Sequence, residues 1–208
     1  MIKRIIFDID GTLLDTQKDC LEAYDFYLRD NFKEVTALDL YNVIEEYDKQ
    51  NRDYSIEDIS RYINKNLIKG FTSNNFKDIL NVYSSCATLI NPNTKIILKN
   101  LAKNYELVVL SSWYVASQKE RLNKAGILEY FKEVYGFENS YKKPDKRAFD
   151  IACGDNKYEE CLMVGDSITS DIEVPDLLGM KTLLLSKENS TKYNAISSLD
   201  DIIKKIDK

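Results

Sequence analysis

The sequence of 208 residues contains no histidine. Without histidine, the chain cannot form a Ser-His-Asp hydrolase, a Cys-His protease, a histidine-ligated zinc site or a phosphohistidine. Its seven glycines are too far apart for the G-x-G-x-x-G dinucleotide-binding fingerprint or for a Walker P-loop. These absences exclude several common classes of enzyme and nucleotide-binding protein.

Cysteine is also scarce, and its positions form no recognisable pattern. The four cysteines include no C-x-x-C pair, which indicates reduced thiols rather than a disulfide framework. The N-terminus turns acidic at Asp8, too early for a signal peptide. No apolar run approaches the ~18 residues that would span a bilayer. We therefore expect a cytoplasmic protein with no membrane partner.

The charge balance is slightly acidic. Aspartate and glutamate total 34 against 29 for lysine and arginine, giving a formal net charge of −5 without any basic block. Such a chain binds polyanions poorly, so we expect no nucleic-acid partner. A globular chain of this length buries roughly 70% of its unfolded surface, so it needs neither disulfide nor metal to fold.

Short apolar runs bounded by turn residues recur along the chain. They predict strands over Ile2–Phe7, Leu107–Leu110, Val134–Tyr135, Leu162–Val164 and Thr182–Leu185. Segments with helical spacing lie between the later strands. Strands that alternate with helices predict an α/β fold, a doubly wound, Rossmann-like parallel sheet with both faces covered.

One segment interrupts this alternation. Residues 16–92 contain no convincing strand and show the spacing of several amphipathic helices. The Asn-Pro-Asn-Thr run at 91–94 is a natural boundary. We therefore expect an α/β catalytic core formed by residues 1–15 and 93–208, with an α-helical cap domain over 16–92 inserted into it.

The residues that follow the strands locate a candidate site, because open parallel sheets bind ligands outside the carboxyl ends of their strands. The first strand leads into Asp8 and Asp10, and the second leads into Ser111. A later strand leads into Asp166, with Asp171 five residues on. Turn capping explains a single aspartate but not this combination. Converging carboxylates repel one another unless a cation lies between them, and oxygen ligands without histidine or cysteine indicate Mg²⁺.

A lysine supplies positive charge for the same site. Lys143 precedes Pro144, which the sequence predicts to be the first residue of a helix containing Arg147. A lysine at a helix N-terminus is disfavoured by the helix dipole. An anion bound there would be stabilised both by Lys143 and by the free N–H groups of the first turn.

Four motifs, in order along the chain, resemble those of the haloacid dehalogenase-like (HAD) superfamily. The run DIDGTLLD at 8–15 is similar to the first motif, and Ser111 after an apolar strand is similar to the second. Lys143 in Lys-Lys-Pro-Asp is similar to the third, and GDSITSD at 165–171 to the fourth. Ser112 stands where the family commonly has asparagine. The position of the helical insertion, between motifs one and two, resembles the C1 cap of the family.

The resemblance implies a Mg²⁺-dependent phosphatase that acts through an aspartyl-phosphate. Asp8 would be the nucleophile, and Asp10 the general acid and base. Asp8, the backbone carbonyl of Asp10 and Asp166 would hold Mg²⁺. Asp171 would lie just outside the direct ligands of the metal, or it would be an additional support for the metal. The remaining implied roles are phosphoryl binding by Ser111 and Lys143, and phosphate contacts from Gly11, Thr12 and Ser112.

Related functions use similar residues. A dehalogenase attacks carbon and has no acid at the position of Asp10, so Asp10 favours phosphoryl transfer. A phosphomutase uses the same four motifs, and the sequence leaves it open. A response-regulator receiver, a phosphorylation-dependent signalling module, has its phosphoacceptor on a later strand, whereas the later strand here ends in Ser111 and Ser112. The expected partner is a small phosphorylated metabolite: phosphoglycolate, a sugar phosphate or a nucleotide.

Overall fold

The computed structural model describes residues 1–50, 54–187 and 192–206. The chain divides into two compact units. The first, which we call the core unit, joins Met1–Asp15 to Leu89–Lys208. The second, the helical unit, is the continuous segment Thr16–Thr88. The helical unit is therefore a single insertion in the sequence of the core unit.

The core unit is built on a parallel sheet. Its strands are β1 (Arg4–Phe7), β2 (Glu106–Leu110), β3 (Glu133–Tyr135), β4 (Cys161–Gly165), β5 (Lys181–Leu185) and β6 (Ala195–Ile196). Over the described residues these six strands have the order β3-β2-β1-β4-β5-β6, and every neighbouring pair is parallel. The predicted α/β fold with a Rossmann-like parallel sheet is confirmed. The sequence analysis did not predict β6.

Among its described residues, the helical unit contains four helices and no strand. The helices are α1 (Thr16–Asn31), α2 (Ala37–Lys49), α3 (Ile56–Asn66) and α4 (Ser73–Ser84). The side chains of Thr36, Ser55 and Thr72 cap α2, α3 and α4 by accepting a first-turn N–H. The Asn75 amide donates to the Tyr27 hydroxyl at 2.8 Å and so links α4 to α1. Across the residues described, no helix is both long and apolar enough to cross a bilayer.

The described residues of the core unit contain five helices: α5 (Thr94–Leu101), α6 (Val115–Lys124), α7 (Lys146–Cys153), α8 (Glu173–Leu177) and α9 (Ile202–Ile206). All four residues of β1 are buried, because both faces of the sheet are packed. On one face, Ile6 packs with Phe149 of α7. The next side chain, Phe7, points to the other face and meets Phe131 edge-on, with ring centroids 6.0 Å apart.

The helix that follows Lys143 begins later than the sequence predicts. The first residue of α7 is Lys146, and the carboxylate of Asp145 caps the helix by accepting the Arg147 N–H at 2.9 Å. The prediction that Pro144 is the first helical residue is therefore wrong. The physical reason is the aspartate cap, which fixes the start of the helix after the proline. Lys143 thus belongs to the loop between β3 and α7.

The two ends of the helical insertion leave the core unit side by side. Leu14 and Leu89 form an antiparallel backbone bridge. The Ile90 N–H donates to the Leu13 carbonyl at 3.2 Å. The core unit therefore closes the chain across the base of the insertion with its own backbone hydrogen bonds.

Candidate active site

Three adjacent strands of the core sheet end at the same edge and present polar side chains there. Asp8 follows β1, Ser111 follows β2, and Asp166 follows the last residue of β4. The Asp8 N–H continues the sheet by donating to the Val164 carbonyl at 2.9 Å. The sheet therefore fixes the backbone that carries the Asp8 carboxylate, at the edge where parallel sheets bind ligands.

Lys143 lies between two of the aspartates. Its ammonium donates to Oδ1 of Asp8 at 2.6 Å and to Oδ1 of Asp171 at 2.5 Å. All three residues are buried, with exposed fractions of 5%, 5% and 1% in the order Lys143, Asp8 and Asp171. The Lys143 N–H donates to the Ser112 hydroxyl at 3.2 Å, which anchors the loop. A buried ammonium thus bridges residues from two different strand ends.

Asp166 completes an acidic cluster with the two aspartates on Lys143. One carboxylate oxygen from each of Asp8, Asp166 and Asp171 lies within 4.8 Å of the others. Three carboxylates and one ammonium carry a formal charge of −3 + 1 = −2 when all are ionised. An all-oxygen donor set with this excess negative charge fits a hard divalent cation such as Mg²⁺.

The pKa values of these groups follow from burial and mutual repulsion. Burial raises the pKa of Asp8 well above its usual 3.8; Lys143 opposes this shift, and the charge of Asp171 adds to it. Partial desolvation and the charge of Asp171 raise the pKa of Asp166 to about 6. Burial lowers the pKa of Lys143, but Asp171 and Asp8 outweigh it and raise the pKa above its usual 10.5. Lys143 is therefore cationic at neutral pH, whereas the raised pKa values of Asp8 and Asp166 mean that these two residues hold protons more tightly than ordinary carboxylates do.

Neighbouring polar groups orient the acidic cluster. The Ser167 N–H donates to Oδ2 of Asp171 at 3.1 Å, and the Thr12 hydroxyl donates to Oδ1 of Asp166 at 3.2 Å. Asp171 lies in a π-helical turn over Ile168–Ile172, directly before α8. Turns of this type are rare and frequently occur at functional sites.

Gly11 leaves room for Asp166. Its φ is +87°, which favours glycine, and a Cβ at this position would lie 2.3 Å from Oδ2 of Asp166. Real side chains do not approach so closely, so any larger residue here would displace the carboxylate. The first and fourth sequence motifs are therefore packed directly against each other.

Asp10 lies in a second group of polar side chains. Its Oδ1 accepts from Arg121 at 2.7 Å, and its Oδ2 accepts from Gln118 at 2.5 Å. The Ser111 hydroxyl lies 3.4 Å from the same Oδ2. Gln118 also donates to the Ser111 hydroxyl at 2.9 Å. The predicted acid/base residue is thus held by two residues that the sequence analysis did not identify.

Every predicted site residue lies in one of these two groups. The acidic cluster with Lys143 also includes Gly11, Thr12 and Ser112, which pack against it or bond to it. Asp10 and Ser111 belong to the other group. The roles of all these residues toward metal and phosphate stay predictions.

A comparison with known families identifies the fold as a whole. Residues 5–185 match the family model described as haloacid dehalogenase-like hydrolase. The match begins in β1, continues through the helical unit and ends with β5. The chain belongs to the haloacid dehalogenase-like hydrolase family. The resemblance seen in the four sequence motifs is thereby confirmed.

Named relatives of this chain include phosphatases. The chain is 35% identical over 104 residues to glyceraldehyde 3-phosphate phosphatase of Methanothermobacter thermautotrophicus. It is 29% identical over 119 residues to pyrimidine 5′-nucleotidase PynA of Streptococcus pneumoniae. These matches cover 47% and 52% of this chain, and 45% and 50% of those proteins. The chain thus spans about half the length of the curated relatives it matches.

A solved structure matches nearly the whole chain. The HAD-hydrolase YfnB of Bacillus subtilis, solved bound to magnesium, has a TM-score of 0.80 and 19% sequence identity to this chain. The similarity covers 98% of this chain and 97% of that one. At this identity, the likeness shows that the two proteins share a fold.

In this haloacid dehalogenase-like hydrolase, Gln118 and Arg121 lie outside the four motifs. Both donate hydrogen bonds to Asp10, which belongs to the first motif. A signal for them exists in the sequence of α6. They share a face with Leu122 and Ala125 at the spacing i, i+3, i+4, i+7, and all four residues are buried. The spacing alone indicates their common face. It does not indicate that a carboxylate lies opposite.

Proposed function

We propose that this protein is a Mg²⁺-dependent phosphatase that hydrolyses a small phosphomonoester through an aspartyl-phosphate on Asp8. The observation that carries the proposal is the acidic cluster around Lys143. It combines a buried carboxylate for attack on phosphorus, an ammonium for phosphoryl oxygens, and excess negative charge for a divalent metal. The relatives named as a phosphatase and a nucleotidase support the same class of reaction.

The chemistry of the donor set supports Mg²⁺ as the metal. Asp8, Asp166 and the backbone carbonyl of Asp10 would hold the ion, with Asp171 as a further support. When bound, the ion would neutralise negative charge between the nucleophile and the phosphoryl group.

In the first half of the reaction, an Asp8 oxygen forms a bond to phosphorus as the bond from phosphorus to the leaving alcohol breaks. The alcohol oxygen takes a proton from Asp10, which acts as general acid. Lys143 and the Ser111 hydroxyl hold the transferring phosphoryl oxygens, since positioning supplies most of the catalysis in phosphoryl transfer. The product of this half is the aspartyl-phosphate.

In the second half, water attacks phosphorus and gives a proton to Asp10, which now acts as general base. The bond between phosphorus and Asp8 breaks, and inorganic phosphate leaves with the Asp8 carboxylate restored. Gly11, Thr12 and Ser112 contact the phosphate in this proposal. The cycle regenerates the protonated Asp10 needed for the next substrate.

The acid at position 10 favours phosphatase over dehalogenase chemistry. The shared fold does not separate the two activities, because L-2-haloacid dehalogenases have it as well. A dehalogenase releases a halide ion, which needs no proton donor. The side chain of Asp10, held by Arg121 and Gln118, therefore fits a reaction in which an alkoxide leaves and water must be activated.

The decisive experiment is a screen of phosphoglycolate, sugar phosphates and nucleoside monophosphates for phosphate release, with Mg²⁺ or with EDTA. We expect Mg²⁺-dependent release that disappears in Asp8→Asn. Asp155→Asn, which removes an exposed carboxylate after α7, is the matched control and should retain full activity. Halide release from 2-haloacids without any phosphate release would contradict the proposal. A requirement for a bisphosphate activator, with phosphate returned to the sugar, would identify a mutase instead.

We also propose that the helical unit is a C1-type cap that selects the leaving group. Leu14 and Leu89 are bridged by backbone, so a short linker can replace Thr16–Thr88 without stretching the core unit. The shortened protein should hydrolyse an activated aryl phosphate slowly and lose discrimination among metabolites. Retained discrimination in a folded, shortened protein would assign specificity to the core unit.

A further inference from the structure

The buried face of α6 is polar where a helix packed on a sheet is usually apolar. Its buried residues are Ser117, Gln118, Arg121 and Leu122. Gln118 and Arg121 have no exposed surface, and Arg121 is the largest fully buried side chain in the part of the chain that the structure describes. Enclosing a guanidinium is unfavourable unless a partner supplies both charge and hydrogen bonds. The position of Arg121 therefore depends on what lies opposite it.

The carboxylate of Asp10 lies opposite Arg121. Arg121 Nη1 contacts Oδ1 of Asp10 at 2.7 Å, and Gln118 Nε2 contacts Oδ2 at 2.5 Å. Arg121 also donates to the amide oxygen of Gln118 at 2.9 Å, which fixes how the amide is turned. Because each carboxylate oxygen is held by a different side chain, both the position and the rotation of the carboxylate are determined.

We propose that Arg121 and Gln118 are positioning residues that aim Asp10 at the leaving oxygen and at the attacking water. The proposal rests on the phosphatase function proposed above, because that function assigns Asp10 its proton transfers. The Asp10 side chain is 28% exposed, so water competes for it from one side. A general acid must lie within hydrogen-bond reach of the atom it protonates, and a displacement of about 1 Å can cost ~10²-fold in rate.

A stabilising role alone does not account for the arrangement. Replacing a buried ion pair with apolar side chains of similar volume is often neutral or stabilising. Leu122 of α6 and Ala125, the residue that follows α6, are already buried apolar residues on the same face. Gln118 and Arg121 are needed if the carboxylate of Asp10 has to be held in one orientation.

The test compares two substrates of nearly the same shape, phenyl phosphate and p-nitrophenyl phosphate, in the full chain with Mg²⁺. Phenolate is the poorer leaving group and depends more on a proton donor. We expect Arg121→Met to lower the rate of phosphoenzyme formation, measured as phenol release in the first turnover, by about 10–10²-fold for phenyl phosphate and by less than about 3-fold for p-nitrophenyl phosphate. Arg121→Lys, which keeps one charged donor, should recover much of the loss. Lys124→Met removes an exposed lysine of α6 and should leave both rates unchanged.

A double-mutant cycle with Asp10→Asn separates positioning from general damage. If Arg121 acts through Asp10, Arg121→Met should add less than about 3-fold to the loss that Asp10→Asn already causes. Equal losses on both substrates, or losses that multiply in the double variant, would overturn the positioning role.

Two controls keep the outcome interpretable. If Arg121→Met does not fold, as judged by circular dichroism, Gln118→Met is measured in the same cycle and must show the same substrate split. If the wild type hydrolyses the substrates and Asp8→Asn does not, the phosphatase function is established. A double-mutant cycle in which the two losses multiply then overturns the positioning role alone. If the wild type shows no Asp8-dependent hydrolysis, both proposals fall, because Asp10 then has no proton to transfer.

Discussion

The Lys143 ammonium donates a hydrogen bond to Oδ1 of Asp8 at 2.6 Å, and both side chains are buried. Burial favours the neutral form of Asp8, whereas the adjacent ammonium favours the carboxylate. A nucleophilic carboxylate has to be ionised before it can attack phosphorus. The lysine therefore opposes the protonation of Asp8 inside a site that otherwise disfavours charge.

Lys143→Met should damage both stability and activity. Removing one partner of a buried ion pair leaves the other charge uncompensated, which typically costs about 3–5 kcal/mol. Two carboxylates lose their partner here, so we expect a loss of this size in the free energy of unfolding, measured with urea at pH 7.5. Phosphoenzyme formation should fall by at least about 10²-fold, because the neutral side chain no longer holds the phosphoryl group. The adjacent Lys142→Met is the control, and equal effects of the two variants would contradict the assigned role.

Mg²⁺ should stabilise the protein, and the effect should weaken at low pH. Without metal, Asp166 has a pKa of about 6, so below pH 6 a binding ion must displace a proton from it. We expect Mg²⁺ to raise the Tm at pH 7.5 and its affinity to fall by up to about tenfold per pH unit below 6. Differential scanning fluorimetry and calorimetric titration measure these effects.

Asp166→Asn is the control for the magnesium prediction. It removes a carboxylate whose ionisation is disfavoured, so the metal-free variant should be more stable than the wild type above pH 6. The same variant should show little change in Tm on adding Mg²⁺. Equal Mg²⁺ responses of wild type and variant would show that the ion binds elsewhere.

Substitutions of the two aspartates of the first motif should block different steps of the reaction. Asp8→Asn removes the nucleophile, so no phosphoenzyme should form with any substrate. Asp10→Asn removes the proton donor, and alkyl phosphates should be hydrolysed about 10²–10⁴-fold more slowly. An aryl phosphate should still phosphorylate Asp8, but water attack would be slow. Rapid-quench kinetics should show one equivalent of phenolate per active site and then slow turnover. Equal steady-state losses for alkyl and aryl substrates, without that burst, would count against Asp10 as the acid and base.

Gly11→Ala tests the close packing of the first and fourth motifs. Both Gly11 and Gly179 have positive φ, +87° and +85°, so alanine at either position carries a backbone cost of about 1–2 kcal/mol. At Gly11 the added Cβ would meet Asp166, whereas no atom of the residues that the structure describes lies within 4 Å of the Cβ at Gly179. Gly11→Ala should therefore lose activity and the Mg²⁺-induced rise in Tm, whereas Gly179→Ala should keep both. Equal behaviour of the two variants would mean that Asp166 tolerates displacement.

The sequence predicted the parts of the fold that depend on local pattern. The buried strands are continuous apolar runs, and five were located to within two residues of their observed ends. The sixth, Ala195–Ile196, has two residues, too few to produce any periodicity. Pro144 was wrongly expected to begin α7 because Asp145, immediately after it, is the stronger cap.

Contacts between distant residues could be predicted only in part. Strand ends and motif order correctly brought Asp8, Lys143, Asp166 and Asp171 to one edge of the sheet. The partners of Asp10 were missed, because a glutamine and an arginine on a helix ordinarily face water. Recognising them requires knowing which face of α6 is covered and that Asp10 lies beneath it, which is a property of the tertiary structure.

The strand that carries the proposed nucleophile has both of its partners far ahead in the chain. β1 lies between β2 and β4, whose first residues are Glu106 and Cys161. During synthesis β1 therefore has no pairing partner until about a hundred residues have been added, while the helices α1–α4 complete their contacts with one another. Until then its apolar residues, Ile5–Phe7, lack the cover that the finished sheet gives them. Unpaired apolar strands of this kind are prone to associate between chains. Newly made protein is consequently most exposed to aggregation before β2 appears, and a chaperone that shields the N-terminal segment would act in that interval.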